Sequence, residues 1–218
     1  MTTDRGSIHL VAVGRWGHEV VRRVSGRIPA PTVTLLDFDW APERLKLVPA
    51  QGRVLIAGRA VPGLAAMIDD AAYRSRTPWL AVVLAHPHLQ IGPAVAPGRG
   101  ACYDCWQRRL RQHAPAPEVD AALLRHYEQH PTDHPAGHLT PSCVLAASMA
   151  VRLVDRWASD PESDAGWLRQ INLVTRHMTK GRAAGVHGCE RCGLGRNEPG
   201  RSHERLTVAM GQALGWAS

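Results

Sequence analysis

Apolar positions along the chain alternate between two spacings, one that suits a strand and one that suits a helix. Ile8–Val13 (IHLVAV) is a β-branched apolar run closed by Gly14, and residues 16–25 follow with Val20, Val21 and Val24 at helical spacing. Thr32–Leu36 (TVTLL) then reads as a second buried strand ending in Asp37-Phe38-Asp39, so residues 8–39 form a strand–helix–strand unit. Further strands are predicted at 53–57, 79–85 and 89–95, with a helix around 63–74. Residues 103–113 and 119–129 have helical patterns, and the Pro/His/Gly stretch 130–141 reads as a loop. The strongest helix spans 142–158, with Thr140 as N-cap, Pro141 at the first helical position and Leu145, Met149, Leu153 and Trp157 along one face. A strand is predicted at 168–174, before Gly and Arg accumulate from about residue 195. The pattern predicts an α/β, Rossmann-like, mostly parallel sheet with flanking helices over residues 1–194, and a Gly/Arg-rich tail over 195–218.

Composition narrows the function classes. With 218 residues, 44% hydrophobic and 21% charged, the chain is long enough for one α/β domain with a full core. The run Met1 to Ser7 is short and polar, and no apolar window is long enough to span a bilayer, so neither a signal peptide nor a membrane helix is expected and the chain reads as cytoplasmic. The net charge of +7 invites a nucleic-acid reading, but the arginines are scattered and the only lysines are Lys46 and Lys180. One Phe and three Tyr leave little material for stacking bases. No nucleic-acid or membrane partner is expected, while an acidic peptide or a nucleotide suits the excess charge.

The cysteines carry the sharpest chemistry. Cys102 and Cys105 form one Cys-x-x-Cys, Cys189 and Cys192 a second, and Cys143 stands alone. Two such pairs supply the four thiolates of a tetrahedral Zn²⁺ site, and with no open coordination position that metal would be structural. The 83 residues from 106 to 188 separate the pairs, too many for a self-contained zinc ribbon, so a metal would tie distant segments together. Disulfides are disfavoured in a reducing cytosol, and a redox Cys-x-x-Cys needs no second copy. Cys143 sits at a helix start beside Val144 and Leu145, where a buried small residue is expected rather than a nucleophile. His126, His130, His134 and His138 recur every four residues, but Pro131 and Pro135 break any helix that would stack them into a metal face. Trp40, Trp79, Trp106, Trp157, Trp167 and Trp216 are expected as core or interface anchors.

The first turn has half of a nucleotide site. A phosphate cradle wants glycines that let backbone N–H groups close on a pyrophosphate, and Gly14-Arg15-Trp16-Gly17 has neither the spacing nor the space beside Trp16. Asp37 and Asp39 nonetheless end the second strand, about twenty residues on, where a carboxylate bonds ribose hydroxyls. Gly14, Gly17, Asp37 and Asp39 are therefore the candidates for a vestigial nucleotide site, against a structural turn and capping aspartates.

These residues carry a family resemblance. The order strand, Gly turn, helix, strand, Asp-Phe-Asp, then Ile91–Gly98 leading into Cys102-Tyr103-Asp104-Cys105, and finally His187-Gly188-Cys189-Glu190-Arg191-Cys192-Gly193, resembles the ThiF/MoeB-type, ubiquitin-activating-enzyme-like superfamily. The segment IGPAVAPGRGACYDCWQRRL further resembles the ocin-ThiF-like proteins, or precursor leader peptide-binding proteins, that accompany YcaO cyclodehydratases in making thiazole/oxazole-modified peptides. The resemblance spans residues 8–193 and implies structural zinc on Cys102, Cys105, Cys189 and Cys192.

Departures from the activating enzymes limit what carries over. Glu43-Arg44-Leu45-Lys46 stands where that superfamily has an Asn/Arg stretch, and Ala57-Gly58 follow the third strand without the metal-binding aspartate. Loss of cradle, cation and metal ligand together removes the groups that stabilise adenylation. The resemblance thus implies a non-catalytic scaffold with no ATP site of its own. Its expected partners are a YcaO-type cyclodehydratase and a ribosomal precursor peptide, and superfamily members are commonly homodimers. The first strand begins at Ile8, which leaves no room for a winged-helix leader-recognition module, so leader binding is expected from a separate protein or from a groove on this one. The alternative is an adenylating enzyme that activates a peptide carboxylate at a divergent site around Gly14, Gly17, Asp37 and Asp39.

Overall fold

Three of the apolar runs pair side by side in the middle of one sheet, which is why they are continuous rather than alternating. A computed structural model of the chain describes residues 7–134, 137–160, 164–193, 207–208 and 210–211. In chain order the elements are β1 (Ile8–Val13), α1 (Gly14–Ser25), β2 (Thr32–Leu36), a 3-10 turn (Pro42–Arg44), β3 (Gly52–Ala57), α2 (Pro62–Ser75) and β4 (Trp79–Ala85). There follow β5 (His88–Val95), α3 (Tyr103–Gln112), α4 (Pro117–Gln129), α5 (Thr140–Ser159), β6 (Trp167–Asn172) and β7 (Met178–Arg182). The seven strands lie in the order β2-β1-β3-β4-β5-β6-β7. β1, β3 and β4 are buried on both faces, as strands with helices on either side must be.

The sheet is parallel only from β2 to β4; β4–β5, β5–β6 and β6–β7 are antiparallel. The expectation of a mostly parallel sheet is therefore corrected to a mixed one. The reason is connection length. A parallel neighbour needs a crossover of a dozen or more residues, whereas only His86 and Pro87 lie between β4 and β5. β7 (MTKGR) lacks an apolar alternation and was not expected; its backbone pairing with β6 makes it a strand.

Helices cover both faces. Leu10, Ala12, Val54, Ile56, Leu80 and Val82 face α1 and α5, while Val11, Val13, Leu55, Ala57, Ala81 and Val83 face α2 and α3. α5 starts at Thr140, with Leu139 rather than Thr140 in the cap position. Its buried stripe is Cys143, Ala146, Ala147, Ala150, Leu153, Val154 and Trp157, and Leu145 and Met149 fall to the partly buried flank. Small residues lead because α5 packs directly along α1 and over the sheet. The indole N–H of Trp16 on α1 donates to Ser142 Oγ at 3.0 Å, tying the starts of the two helices. Gly17 sets how closely α1 lies on β3, since a Cβ there would come 2.6 Å from the Ile56 carbonyl oxygen. α4, by contrast, has no fully buried residue. Trp216 and nearly all of the expected tail at 195–218 lie outside the described residues.

β1 also carries a buried imidazole. His9 is fully buried, bonds Thr34 Oγ1 through Nε2 at 2.9 Å and pairs across the ladder with Arg53. Burial, and then the Arg53 charge, draw its pKa down to about 4.

Two outcomes are expected. A histidine whose folded pKa is about 4, against an ordinary 6.5, makes the fold lose stability as pH falls through the window from 6.5 to 4. The loss reaches about 3 kcal/mol. Denaturant titrations of His9→Leu across that window check this: a slope unchanged from that of the parent excludes His9 as its source. Gly17→Ala is expected to lower stability by about 1–3 kcal/mol through overpacking against β3, read from the urea midpoint.

Candidate functional site

Two short loops build the thiol cluster, each for a local reason. Cys102 is the extended residue that caps α3 and Cys105 lies in its first turn, so a Cys-x-x-Cys at a helix start turns both side chains to one side. The second loop is a tight turn in which Cys189 N–H donates to Val186 O at 3.0 Å and Gly193 N–H to Cys189 O at 2.7 Å. Gly193 is required there, because a Cβ would come 2.4 Å from Cys189 O and 2.5 Å from His187 O.

The two loops meet. All four Sγ atoms of Cys102, Cys105, Cys189 and Cys192 lie within 4.8 Å of one another, with Cys105–Cys192 at 3.1 Å and Cys102–Cys189 at 3.7 Å. A tetrahedral ion with metal–sulfur bonds of about 2.3 Å separates its ligands by about 3.8 Å, so the donor set suits a single ion. Backbone N–H groups already point at the sulfurs: Cys102 N–H donates to Cys192 Sγ at 3.3 Å and Val186 N–H to Cys105 Sγ at 3.2 Å. The thiols share too few charges without a cation. The hydrogen bond with Cys192 draws Cys102 down to about 5, burial lifts Cys105 to about 11, and Cys192 is pushed up by its bond to Cys102. Four ionised sulfurs at this spacing need a cation among them, and the cluster can hold a metal ion.

An arginine inside the second loop anchors it. Arg191 donates to Asp69 Oδ2 at 3.2 Å and Asp70 Oδ1 at 2.7 Å on α2, and lies over the Tyr73 ring. Asp69 is buried and also accepts the indole N–H of Trp79 at 2.9 Å, while burial pushes its pKa up to about 6. A shallow open cleft lies here between Asp69, Tyr73, Pro97, Gly98 and Arg191. Both cluster and cleft belong to the amino end of the parallel strands, since Val95, just before this loop, pairs with Trp79 at the start of β4.

The opposite end of those strands holds the other candidates. The order β2-β1-β3 places the reversal of winding between β1 and β3, and the crevice at their carboxyl ends is where such sheets bind ligands. Gly14 opens α1 at φ +70°, but the Phe38 ring rests against it, 2.4 Å from where a Cβ would stand. Gly17 serves helix packing on β3. Asp37 and Asp39 are exposed on the turn after β2, on either side of Phe38. The structure thus brings Gly14 and Phe38 together and does not gather the two aspartates into a pocket with the glycines.

Arg59, just beyond β3, completes the closure and was not singled out from the sequence. It is 6% exposed, its guanidinium 4.3 Å from the Phe38 ring centroid and 4.2 Å from that of Tyr127 on α4, and Nη2–H donates to Pro131 O at 3.0 Å. Burial pushes its pKa down. Phe38, Arg59 and Tyr127 therefore stack over the place where a phosphate cradle would open. No local pattern marks Arg59, because its partners come from three separate segments. For Arg191 the signal was its position between two cysteines; its acidic partners on α2 were not readable.

The remaining candidates fall into ordinary roles. Cys143 is fully buried in the core and burial pushes its thiol up, as expected of a packing residue. His126 and His130 stack at 4.6 Å at the end of α4, His126 pairs with Asp133 at 3.0 Å, and His134 lies against Phe38. Among the described residues the four cysteines are the group placed to hold a metal, and the histidines are not.

No protein-family model matches the sequence, and no curated protein matches it either. The fold does have solved counterparts. A structure described as a heterocyclase in complex with substrate and cofactor aligns with a TM-score of 0.62 at 21% identity, over 87% of this chain and 26% of the other. A chain of the E. coli microcin synthetase McbBCD complex aligns with a TM-score of 0.59 at 13% identity, over 87% and 70% respectively. E. coli MccB aligns with a TM-score of 0.60 at 14% identity, over 91% and 68%. The chain spans about a quarter of the length of the heterocyclase. At these identities, what this chain shares with the heterocyclase, the microcin synthetase and MccB is the fold.

Proposed function

We propose that this chain is a non-catalytic, ThiF-like scaffold in the biosynthesis of ribosomally made, thiazole/oxazole-modified peptides. In this reading it binds precursor peptide, activates a YcaO-type cyclodehydratase, or does both, and the ATP chemistry belongs to the partner. One observation carries the reading: at the carboxyl ends of β1 and β3 the Phe38 ring packs on Gly14, and the buried Arg59 stacks on Phe38 and Tyr127 beside it. Adenylation needs donors aimed at a triphosphate and a metal ligand beside it. Here the turn glycine packs on the Phe38 ring, and the buried Arg59 is held by that same ring, by Tyr127 and by the Pro131 carbonyl. The fold counterparts, a heterocyclase and a microcin synthetase, support a place in peptide modification. The sequence resemblance to ocin-ThiF-like proteins narrows it to the cyclodehydratase partner.

In the same reading the ion on Cys102, Cys105, Cys189 and Cys192 is zinc in a structural role. Four thiolates leave no position for a substrate, and the cluster stands at the end of the strands away from the crevice. Its work is to fix the return of the chain after β7 against α2 and α3.

In the same reading the domain spans residues 1–194, followed by a Gly/Arg-rich tail over 195–218.

Two measurements test these assignments. Calorimetric titration of the isolated chain with Mg-ATP is expected to show no saturable binding, with ATP turnover appearing when a YcaO-type cyclodehydratase and its precursor are added. Micromolar binding by the isolated chain would sink the scaffold reading in favour of adenylation. Metal analysis is expected to find one zinc per chain, lost in Cys105→Ser with a drop in stability of several kcal/mol. A Cys105→Ser variant with unchanged thermal midpoint would remove the structural role.

A further inference from the structure

Between Asp164 and Glu190 the chain carries Arg169, Arg176, Lys180 and Arg182 and no carboxylate. The β6–β7 hairpin occupies that stretch, and β7 is the last strand of the sheet. The ladder pairs Trp167 with Arg182, Arg169 with Lys180 and Ile171 with Met178. Residues two apart share a face, so Arg169, Lys180 and Arg182 project from the same side of the hairpin. Lys180 and Arg182 are exposed and Arg169 is half-buried. Arg182 lies over the Trp167 ring at 5.2 Å, and among the described residues none of the three cations has an acidic partner. Arg169 directly opposite Lys180 is a like-charge cross-strand pair, which opposes the hairpin rather than supporting it.

The backbone of β7 is equally directional. Asn172 N–H donates to His177 O and Ala183 N–H to Gly166 O, which makes 177/172 and 183/166 the hydrogen-bonded pairs of the ladder. Alternation then turns the backbone groups of Thr179 and Gly181 toward β6, and those of Met178, Lys180 and Arg182 outward. Among the described residues no strand pairs with that edge, so it offers three residues' N–H and C=O groups, with cations on the adjoining face.

We infer that the β7 edge docks an extended acidic peptide segment, which adds a strand beside Met178–Arg182 and sets alternate carboxylates against Arg169, Lys180 and Arg182. Charge selects this occupant. A lysine on a free edge guards against pairing with a neutral or basic strand, and a second copy of this edge would set cation against cation. An acidic strand meets the same residues as partners, and it relieves the Arg169–Lys180 repulsion. Main-chain bonds supply affinity in this mode and the side chains that alternate along the strand supply selectivity. The inference rests on the hairpin alone and stands apart from any role beside a cyclodehydratase.

The test uses the full chain and a fluorescent peptide of alternating Glu and Thr, followed by anisotropy. Saturable binding that weakens with added salt is expected, falling about tenfold or more in Lys180→Glu/Arg182→Glu. Met178→Pro removes an outward donor without touching the charge or the β6–β7 ladder, and is expected to weaken binding; Met178→Ala, which keeps that donor, is not. Matching thermal midpoints show that each variant folds. The same peptide N-methylated at alternate backbone amides is expected not to bind. The inference is overturned by absent binding, by equal binding of the N-methylated peptide, by unchanged affinity in the charge-reversed variant, or by single-stranded DNA of matched charge displacing the peptide at equal concentration.

Discussion

Four thiols held within 4.8 Å of one another, two from the start of α3 and two from the loop after β7, dictate how the second half of this chain runs. With 83 residues between the pairs, closing that loop costs entropy that the local contacts of a short turn would not repay. The path is set by what must reach the cluster. β7 has to end beside α3, so β6 and β7 lie beyond β5 as an antiparallel extension of the sheet. Arg191 then carries the constraint to α2 through Asp69 and Asp70, and Trp79 carries it into the first residue of β4. A cation at the cluster would act on the fold through this chain of contacts, because the sulfurs at their present spacing cannot all ionise without one.

The two ends of the parallel strands have been given different work. The amino end holds the thiol cluster and the arginine that anchors it. The carboxyl end, which in a doubly wound sheet is open for a ligand, is closed by aromatic rings around Arg59. A guanidinium between two rings gains from both faces, and one of its N–H groups donates to Pro131 O. The same loop, between α4 and α5, brings His134 against Phe38, so the closure draws on segments after β1, β2 and β3 and on the loop that leads into α5. Opening that crevice would require the chain to unpack its own side chains first.

Much of the architecture was legible because burial leaves periodic traces. β1, β3 and β4 are covered on both faces, so their sequences are continuous apolar runs, and β5 and the helices were placed to within a few residues for the same reason. The thiol cluster was legible because its spacing has few other uses. The face of α5 was legible only in its second half, where Leu153 and Trp157 are buried. The helix is pressed against α1 by Cys143, Ala146, Ala147 and Ala150, and a pattern that weights large residues points one position aside, to Leu145 and Met149. β7 was hidden because an exposed edge strand has no core face to mark it. Gly14 and Gly17 were legible as glycines with a purpose, yet the groups they pack on, a Phe38 ring and the Ile56 carbonyl, lie outside any local window.

The sequence by itself determined the element order as far as β6, the strands that share the core and the four cysteines that belong together, because each of these depends on local period or on residue chemistry at short range. The tertiary structure decided the rest. The burial of Arg59 between Phe38 and Tyr127 and the anchoring of Arg191 by Asp69 and Asp70 join residues far apart in the chain. Such meetings are set by the geometry of the packed sheet and helices, and no window of sequence contains both partners.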